Sequence, residues 1–241
     1  MQEETVVVLM STYNGERFLE KQLLSILQQQ SCNVHLVIRD DGSSDKTVSI
    51  IRRYATIYTN IHLIEGKNVG FVNSFNELIK FARNCNKKYF AFVDQDDIWL
   101  KNKLQIAIEH LQTANESLPC AFSSNSKLID QNDKPIGTYI PFPLRLTKAT
   151  LLINGLFQGC SMVFNKKAVE IYADHPSPLD FHDLWMVYIC AFFGQFHYSD
   201  ECLFLYRLHD KNVAGKKVKS KPKGFKAVLA SFHFWTQQHS N

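Results

Sequence analysis

The sequence predicts an α/β fold in which a mostly parallel central sheet is flanked by helices. Short runs of β-branched and aromatic residues alternate with stretches whose apolar residues recur at helical spacing. In the first half of the chain, polar segments containing Asp, Asn, Gly and Ser follow each strand-like run. Such alternation is typical of parallel strands joined by helical crossovers.

The first half contains four strand and helix signals in alternation. Strands are predicted at residues 5–10, 35–39, 61–64 and 89–93. Helices are indicated by Leu19, Leu23, Ile26 and Leu27, by Val48, Ile51 and Ala55, by residues 72–83, and by Leu104, Ala107, Ile108 and Leu111.

The second half is less regular. Strands are predicted within residues 120–128, 161–164 and 202–208, and residues 130–143 are rich in turn formers. A further helix is indicated by Leu184, Val187, Tyr188, Ala191 and Phe192.

The composition is that of a globular protein. The chain has 241 residues, of which 45% are hydrophobic and 21% charged, enough for one α/β domain with a normal core. The N-terminus is polar and acidic, and no apolar run approaches the ~20 residues that span a bilayer. Six cysteines occur without a C-x-x-C pair, which predicts buried free thiols and a cytoplasmic location.

Ligands of open α/β sheets bind beyond the carboxyl ends of the strands. Four loops of the predicted sheet follow strands there, at residues 11–15, 40–45, 66–70 and 94–99, and these loops are rich in Asp, Asn, Gly and Ser. The sequence therefore predicts that the chemistry lies on one rim of the sheet.

The segment Asp94-Gln95-Asp96-Asp97 places three carboxylates in four positions directly after a buried strand. Like charges this close repel, and the end of a buried strand is poorly solvated. A divalent cation would offset both costs, and oxygen ligands favour Mg²⁺ or Mn²⁺ shared with phosphate oxygens. The alternative is a solvated acidic turn in which Asp97 caps the next helix.

The loop at residues 40–45 reads Asp-Asp-Gly-Ser-Ser-Asp. A carboxylate here can accept hydrogen bonds from a base or a sugar, and Gly42 permits a close backbone approach. The alternative is an ordinary Asx-turn that caps a helix.

Four motifs in this order resemble glycosyltransferase family 2, the inverting GT-A fold. They are VVVLMSTYNG at 6–15, DDGSSD at 40–45, NVG at 68–70 and DQDDIW at 94–99. More loosely, QGCS at 158–161, HDLW at 182–185 and YRLHDKN at 206–212 are similar to the bacterial branch that includes rhamnosyltransferases of O-antigen and capsule synthesis.

The resemblance implies an inverting transferase that uses Mg²⁺ or Mn²⁺. It would move a sugar from a UDP- or dTDP-sugar to a glycan or lipid-linked acceptor in bacterial surface polysaccharide synthesis. Residues 1–210 would form the GT-A domain, with 1–115 binding the nucleotide sugar and 116–210 the acceptor. Residues 211–241 would be a basic, aromatic tail.

The resemblance also implies roles for individual residues. Nucleotide contacts are implied for Thr12, Tyr13, Asn14, Asp41, Asn68, Gly70 and Asp94. Metal ligation is implied for Asp96 and His209, with His209 alternatively closing over the diphosphate. Asp183 is the implied general base, although family members often carry Glu-Asp where this chain has His182-Asp183. Acceptor contacts are implied for Gln158, Gly159 and Trp185.

Each role has a structural alternative. Asp183 could cap the helix that it heads, His209 could be an ordinary surface or core histidine, and Trp185 could serve only packing. A catalytically inactive GT-A module, acting as a nucleotide-sugar-binding or scaffold subunit, is the alternative function. A dinucleotide oxidoreductase and a P-loop enzyme are excluded, because neither G-x-G-x-x-G nor G-K-[ST] is present.

The net charge of +4 comes from the end of the chain. After Asp210 no acidic residue follows, and the basic residues are Lys211, Lys216, Lys217, Lys219, Lys221, Lys223 and Lys226. With Phe225, Phe232, Phe234 and Trp235 this tail is either a solvated run or a contact to the anionic inner face of the plasma membrane. Nucleic-acid binding is not expected, since no recognition motif occurs.

Overall fold

The computed structural model describes residues 3–139, 158–176, 181–210 and 212, and their strands form one nine-stranded sheet. The strands are β1 (Thr5–Thr12), β2 (Asn33–Asp40), β3 (Ile61–Glu65), β4 (Tyr89–Val93), β5 (Ile98–Trp99), β6 (Cys120–Ile129), β7 (Pro135–Thr138), β8 (Val163–Asn165) and β9 (Gln195–Arg207). The helices are α1 (Leu19–Leu27), α2 (Thr47–Ile57), α3 (Phe71–Arg83), α4 (Lys103–Gln112), α5 (Lys166–Asp174) and α6 (His182–Phe193).

The sheet has the order β3-β2-β1-β4-β8-β6-β9-β5, with β7 paired to β6. β1 is parallel to β2 and β4, β2 to β3, and β6 to β9. Because β8 is antiparallel to both β4 and β6, those two strands share a direction. The prediction of a mostly parallel sheet is confirmed: six strands run one way, and the short β5, β7 and β8 run against them.

Both faces of the sheet are covered by helices. In β1, Val6, Val8 and Met10 pack beneath α1, α2 and α4, whereas Val7 and Leu9 pack beneath α3, α5 and α6. All five side chains are fully buried. This explains the continuous apolar run in the sequence, since a strand covered on both faces has no solvent-facing side.

The first-half predictions are confirmed within a few residues, but several second-half predictions are wrong. β9 begins at Gln195 rather than near residue 202, and α5 was not predicted. Residues 159–161 form a short 3₁₀ turn before β8, and β7 lies inside the segment predicted as turns. The polar first half of β9 becomes a strand because it pairs along β6, which is a tertiary contact.

The common direction of the six strands determines where their loops lie. The carboxyl ends of β1, β2, β3 and β4 share one rim, and the end of β9 joins them from the second half of the chain. β1 has β2 on one side and β4 on the other, so the loops after β1 and β4 meet at a topological switch point.

All six cysteines are free thiols; Cys85 and Cys202 are only partly buried, so the prediction of burial fails for these two. Within the described ranges, no helix has the length and apolar character needed to cross a membrane.

Candidate active site

Gln95, the middle residue of the Asp94–Asp96 segment, connects the loops after β1 and β4. Its Oε1 accepts a hydrogen bond from the backbone N–H of Tyr13 at 2.9 Å, and its Nε2 donates to the Tyr13 carbonyl at 3.1 Å. A Cβ on Gly15 would displace the Gln95 amide from this position. The side chain of Tyr13 itself is 49% exposed and free to contact a ligand.

The loop after β2 is held by Asp40. Its carboxylate accepts hydrogen bonds from Thr12 Oγ1 at 2.9 Å and from the N–H and Oγ of Ser43 at 2.8 and 2.6 Å. Asn14, at φ 47°, donates its N–H to Ser43 and accepts from the N–H of Ser44. The side chains of Thr12 and Asn14 therefore support the loops, and nucleotide contact by these two residues stays a prediction that relies on their backbone groups.

Asp41 ties the loop after β3 to the same rim. Its carboxylate is 2.5 Å from Arg39 Nη1 and accepts from the N–H groups of Val69 and Gly70 at 3.0 and 2.9 Å. Gly70 has φ 83°, which a glycine adopts without strain. Asn68 is exposed beside them. Both Asp41 oxygens thus already have protein donors, and a base would share the remaining acceptor capacity of the carboxylate.

The acidic segment after β4 is crowded and poorly solvated. Burial raises the pKa of Asp94 to about 7, and the neighbouring charges of Asp96 and Asp183 add to the effect. Asp97 is fully buried, and burial together with Asp96 and Asp94 raises its pKa well above the ordinary value. The repulsion between carboxylates and their poor solvation, both expected from the sequence, are therefore present in the folded chain.

Asp97 does not cap the next helix. α4 begins at Lys103, with Asn102 at its N-cap position. One Asp97 oxygen instead accepts the backbone N–H of Arg207 at 3.0 Å, and the other has no hydrogen-bond partner among the described residues. The capping alternative is wrong because the chain forms β5 directly after Asp97 and pairs with β9.

The carboxyl end of β9 brings His209 to Asp96. His209 Nε2 lies 2.8 Å from Asp96 Oδ2, and its ring packs against Phe18 with centroids 5.0 Å apart. Both side chains are mostly buried. The two predicted metal ligands therefore lie side by side, although 113 positions separate them in the sequence.

Arg207, to which the sequence analysis gave no role, holds this segment in place. Its guanidinium is fully buried, donates from Nε to the Asp96 carbonyl at 2.7 Å and from Nη1 to the Asp130 carbonyl at 3.1 Å, and pairs with Asp133. It also lies over the Phe18 ring at 4.6 Å. Two signals were present in the sequence: Arg207 follows an apolar run at residues 202–206, and it belongs to the motif at 206–212.

A buried lysine lies beneath the acidic segment. Lys103 is fully buried and donates to the Ser161 carbonyl at 2.7 Å. Burial lowers its pKa to about 7, and attraction to Cys160 and Asp97 opposes that shift. Cys160 Sγ and one oxygen each of Asp94 and Asp97 lie within 4.8 Å of one another. Sequence reasoning missed Lys103, because a lysine at the start of a helix ordinarily faces water.

Asp183 lies in the first turn of α6, next to the turn at residues 159–161. Its Oδ1 accepts the N–H of Leu184 at 2.7 Å, and its Oδ2 accepts the N–H of Gly159 at 3.0 Å. Burial raises the pKa of Asp183 to about 6, and the two backbone N–H groups oppose the rise. The turn at residues 159–161 links the two carboxylates, since its Gly159 N–H donates to Asp183 and its Cys160 thiol lies beside Asp94.

The other predicted acceptor residues are placed differently. Gln158 Oε1 accepts from Ser126 Oγ at 3.0 Å beside that turn. Trp185 is 2% exposed and donates its indole N–H to the His175 carbonyl at 2.7 Å. This placement gives Trp185 a packing role, and its acceptor contact stays a prediction without support from the geometry.

The residues present fit a divalent cation. Carboxylate oxygens and an imidazole nitrogen suit Mn²⁺ or Mg²⁺ bound together with phosphate. The pKa values of Asp94 and Asp97 are both raised, by burial first and by the neighbouring carboxylates second, so acidic groups are crowded here. Asp96 and His209, already in contact at the rim, are the residues that would hold the ion.

An acidic rim at the carboxyl ends of a mostly parallel sheet is the place where ligands of open α/β folds bind. A family model described as glycosyl transferase family 2 matches residues 7–171, and the chain belongs to this family. It is 29% identical over 222 residues to TuaG of Bacillus subtilis, a protein named for teichuronic acid biosynthesis, covering 90% of this chain and 84% of that one. It is also 29% identical over 226 residues to the dTDP-rhamnosyl transferase RfbG of Shigella flexneri, covering 89% and 76%.

Solved structures share the fold at low identity. S. aureus TarS 1–349 in complex with UDP-GlcNAc aligns with a TM-score of 0.66 at 17% identity, over 86% of this chain and 60% of that one. The mannosyltransferase PcManGT from Pyrobaculum calidifontis, in complex with GDP-Man and Mn²⁺, aligns with a TM-score of 0.66 at 18% identity, over 95% and 69%. The GT-A fold predicted from the motifs is confirmed.

The buried pair of Arg39 and Asp41 predicts a large loss of stability when it is broken. In Arg39→Met the Asp41 carboxylate stays buried without its cation, and we expect a loss of about 3–5 kcal/mol in the free energy of unfolding. Arg52→Met is the matched control, because the pair with Glu65 is exposed and contributes less than about 1 kcal/mol. Urea unfolding of both variants measures the difference; equal losses would contradict this account of the rim.

Proposed function

We propose that this chain is an inverting glycosyltransferase that moves a sugar from a nucleoside diphosphate donor to a hydroxyl of a glycan or lipid-linked acceptor. The observation that carries the proposal is the meeting of three groups at one rim. The Asp96–His209 pair offers metal ligands. The turn at residues 159–161 links Asp94 to Asp183, because its Cys160 thiol lies beside Asp94 and its Gly159 N–H donates to Asp183.

Asp96 and His209 would hold the cation, with Asp94 facing the ribose or the ion. When bound, Mg²⁺ or Mn²⁺ supplies positive charge that stabilises the diphosphate as a leaving group. The loops hold their geometry before any ligand arrives, because Gln95, Asp40 and Asp41 fix the backbone on three sides. Preorganised groups of this kind need no rearrangement during the reaction.

Asp183 is the proposed general base. Its carboxylate would take the proton of the acceptor hydroxyl as that oxygen attacks the anomeric carbon from the face opposite the diphosphate. A single displacement of this kind inverts the anomeric centre. A pKa raised to about 6 by burial makes Asp183 a stronger base than an exposed carboxylate, while it is still ionised near neutral pH.

The inactive-module alternative is disfavoured by the same arrangement. A scaffold needs no buried, mutually repelling carboxylates, yet Asp94, Asp96 and Asp183 are present and share one site. Crowded like charges reduce the stability of the fold, and a catalytic site is where such a cost is expected.

The donor class is supported by the solved relatives, one in complex with UDP-GlcNAc and one with GDP-Man. We propose a UDP- or dTDP-sugar as donor, in line with the name of RfbG. We propose bacterial surface polysaccharide as the product, in line with the name of TuaG. A thermal-shift screen of nucleotide sugars with Mn²⁺ tests the choice of donor.

We propose further that the enzyme works in the cytoplasm at the inner face of the plasma membrane. The basic and aromatic residues after Asn212 support this proposal through their sequence alone, since they lie outside the described residues. A lipid-linked acceptor would bring the enzyme to that surface.

Asp96→Ala should abolish metal-dependent nucleotide binding, because it removes the carboxylate that contacts His209. We expect the Mn²⁺-dependent increase in thermal stability with UDP or dTDP to disappear. Asp200→Ala is the control, since Asp200 is an exposed carboxylate in β9 far from the carboxyl end of that strand. Full retention of metal-dependent affinity in Asp96→Ala would remove Asp96 from the metal site.

Asp183→Asn should leave donor binding intact and reduce transfer by roughly 10²–10⁴-fold, the usual contribution of a general base. In the wild type, kcat/KM should fall about tenfold per pH unit below about pH 6, because a protonated Asp183 cannot accept the proton. Asp174→Asn, an exposed residue paired with Arg83, is the matched control. An unchanged transfer rate in Asp183→Asn would exclude it as the base.

Truncation after Asn212 should weaken binding to phosphatidylglycerol vesicles at low salt. Asn212 is kept because its side chain donates to the Arg207 carbonyl at 3.0 Å. Exchanging Lys216, Lys217, Lys219, Lys221 and Lys223 for Gln should weaken binding similarly if charge is the cause. Vesicle cosedimentation that is equal for the wild type and both variants would reject the membrane contact.

A further inference from the structure

The turn at residues 159–161 contacts functional groups on both sides of the site. The N–H of Gly159 donates to Asp183, and the thiol of Cys160 lies beside Asp94 and Asp97. The carbonyl of Ser161 accepts from the buried ammonium of Lys103 at 2.7 Å. One short turn therefore connects the acidic segment after β4 to the carboxylate on α6.

Gly159 has no room for a side chain. A Cβ there would meet Asp183 Cβ at 2.8 Å, Asp183 Oδ2 at 3.1 Å and His182 Nε2 at 3.2 Å. The backbone of Gly159 is not in the left-handed region, so alanine could adopt it without strain. What forbids a side chain at this position is contact with Asp183 and His182.

Those neighbours cannot readily move away. The His182 ring is stacked on Phe75 with centroids 3.7 Å apart and planes 8° apart, and it meets the Phe92 ring edge-on at 4.8 Å. His182 is buried, and neither ring nitrogen has a hydrogen-bond partner among the described residues. Within the described part of the chain, stacking and edge contacts hold the ring between the helix that carries Asp183 and the core beneath α3.

We propose that Gly159 and the His182–Phe75 stack are positioning residues for the Asp183 carboxylate. The Gly159 N–H holds Oδ2, and its missing side chain leaves the space that the carboxylate occupies. The stack fixes the His182 ring, which lies against Gly159 and belongs to the residue that precedes Asp183 in α6. This inference rests on the proposed function, in which Asp183 is the base, and it gives Gly159 a role other than the acceptor contact implied by the family resemblance.

The test compares variants of the full chain in steady-state transfer. Gly159→Ala should lower kcat by about 10–100-fold, since displacing a reacting group by ~1 Å costs up to about 10²-fold. The donor KM and the thermal shift with UDP and Mn²⁺ should stay within about twofold of the wild type, because Asp96 and His209 are not touched.

Ser123→Ala is the matched control beside the same turn. It removes the 2.6 Å hydrogen bond between Ser123 Oγ and Ser161 Oγ, but leaves the bond from Ser161 Oγ to the Gln158 carbonyl, and with it the peptide group whose N–H donates to Asp183. We expect a lower unfolding temperature with kcat within about twofold. A kcat in Gly159→Ala within twofold of the wild type would overturn the proposal, and so would an equal fall in Ser123→Ala.

Phe75→Leu is a second test that does not alter the glycine, for the case in which Gly159→Ala fails to fold. Loss of the ring beneath His182 should lower kcat by about tenfold with the donor KM unchanged; an unchanged kcat would overturn the role of the stack.

Asp183→Asn distinguishes failure of the proposed general base from failure of the positioning role of Gly159. If it transfers as well as the wild type, the proposed base fails; if it is inactive while Gly159→Ala is fully active, only this inference fails.

Discussion

The site depends on holding carboxylates together at the end of a buried strand. Asp94, Asp96 and Asp97 repel one another, and burial raises the pKa of Asp94 and Asp97. Two buried basic side chains lie beside these carboxylates, Arg207 at the end of β9 and Lys103 at the start of α4. Arg207 anchors the backbone of Asp96, and Lys103 lies beneath Asp97, so the acidic segment cannot relax into solvent. A segment in which carboxylates repel one another is suited to bind a divalent cation, which would reduce that repulsion.

Crowded carboxylates keep their positions only if the surrounding loops are rigid, and hydrogen bonds join the loops of the rim to one another. Gln95 binds both backbone groups of Tyr13, and Asp41 binds the N–H groups that precede α3. Several residues that the family resemblance assigned to the nucleotide thus form the framework of the pocket. Their hydrogen bonds fix the shape into which a ligand fits, and preorganisation of this kind increases affinity and rate without new contacts.

The second half of the chain contributes side chains to the rim formed by the strands of the first half. α6 carries Asp183, and the end of β9 carries Arg207 and His209. Both elements reach the rim because β9 runs parallel to the first-half strands through β6, β8 and β4. Because the strands form one continuous sheet, the groups from the two halves of the chain are held at fixed positions along one rim.

The local sequence pattern determined many of the strands and helices of this protein. The apolar runs of β1 and β4, the helical spacing of α1 to α4 and the motifs around Asp94 were legible in the sequence, because each depends on neighbours within a few positions. The early start of β9, the contact of His209 with Asp96, the burial of Lys103 and the non-capping role of Asp97 were decided by the tertiary structure. Each arises from contacts between residues 58 to 113 positions apart, which no local pattern describes.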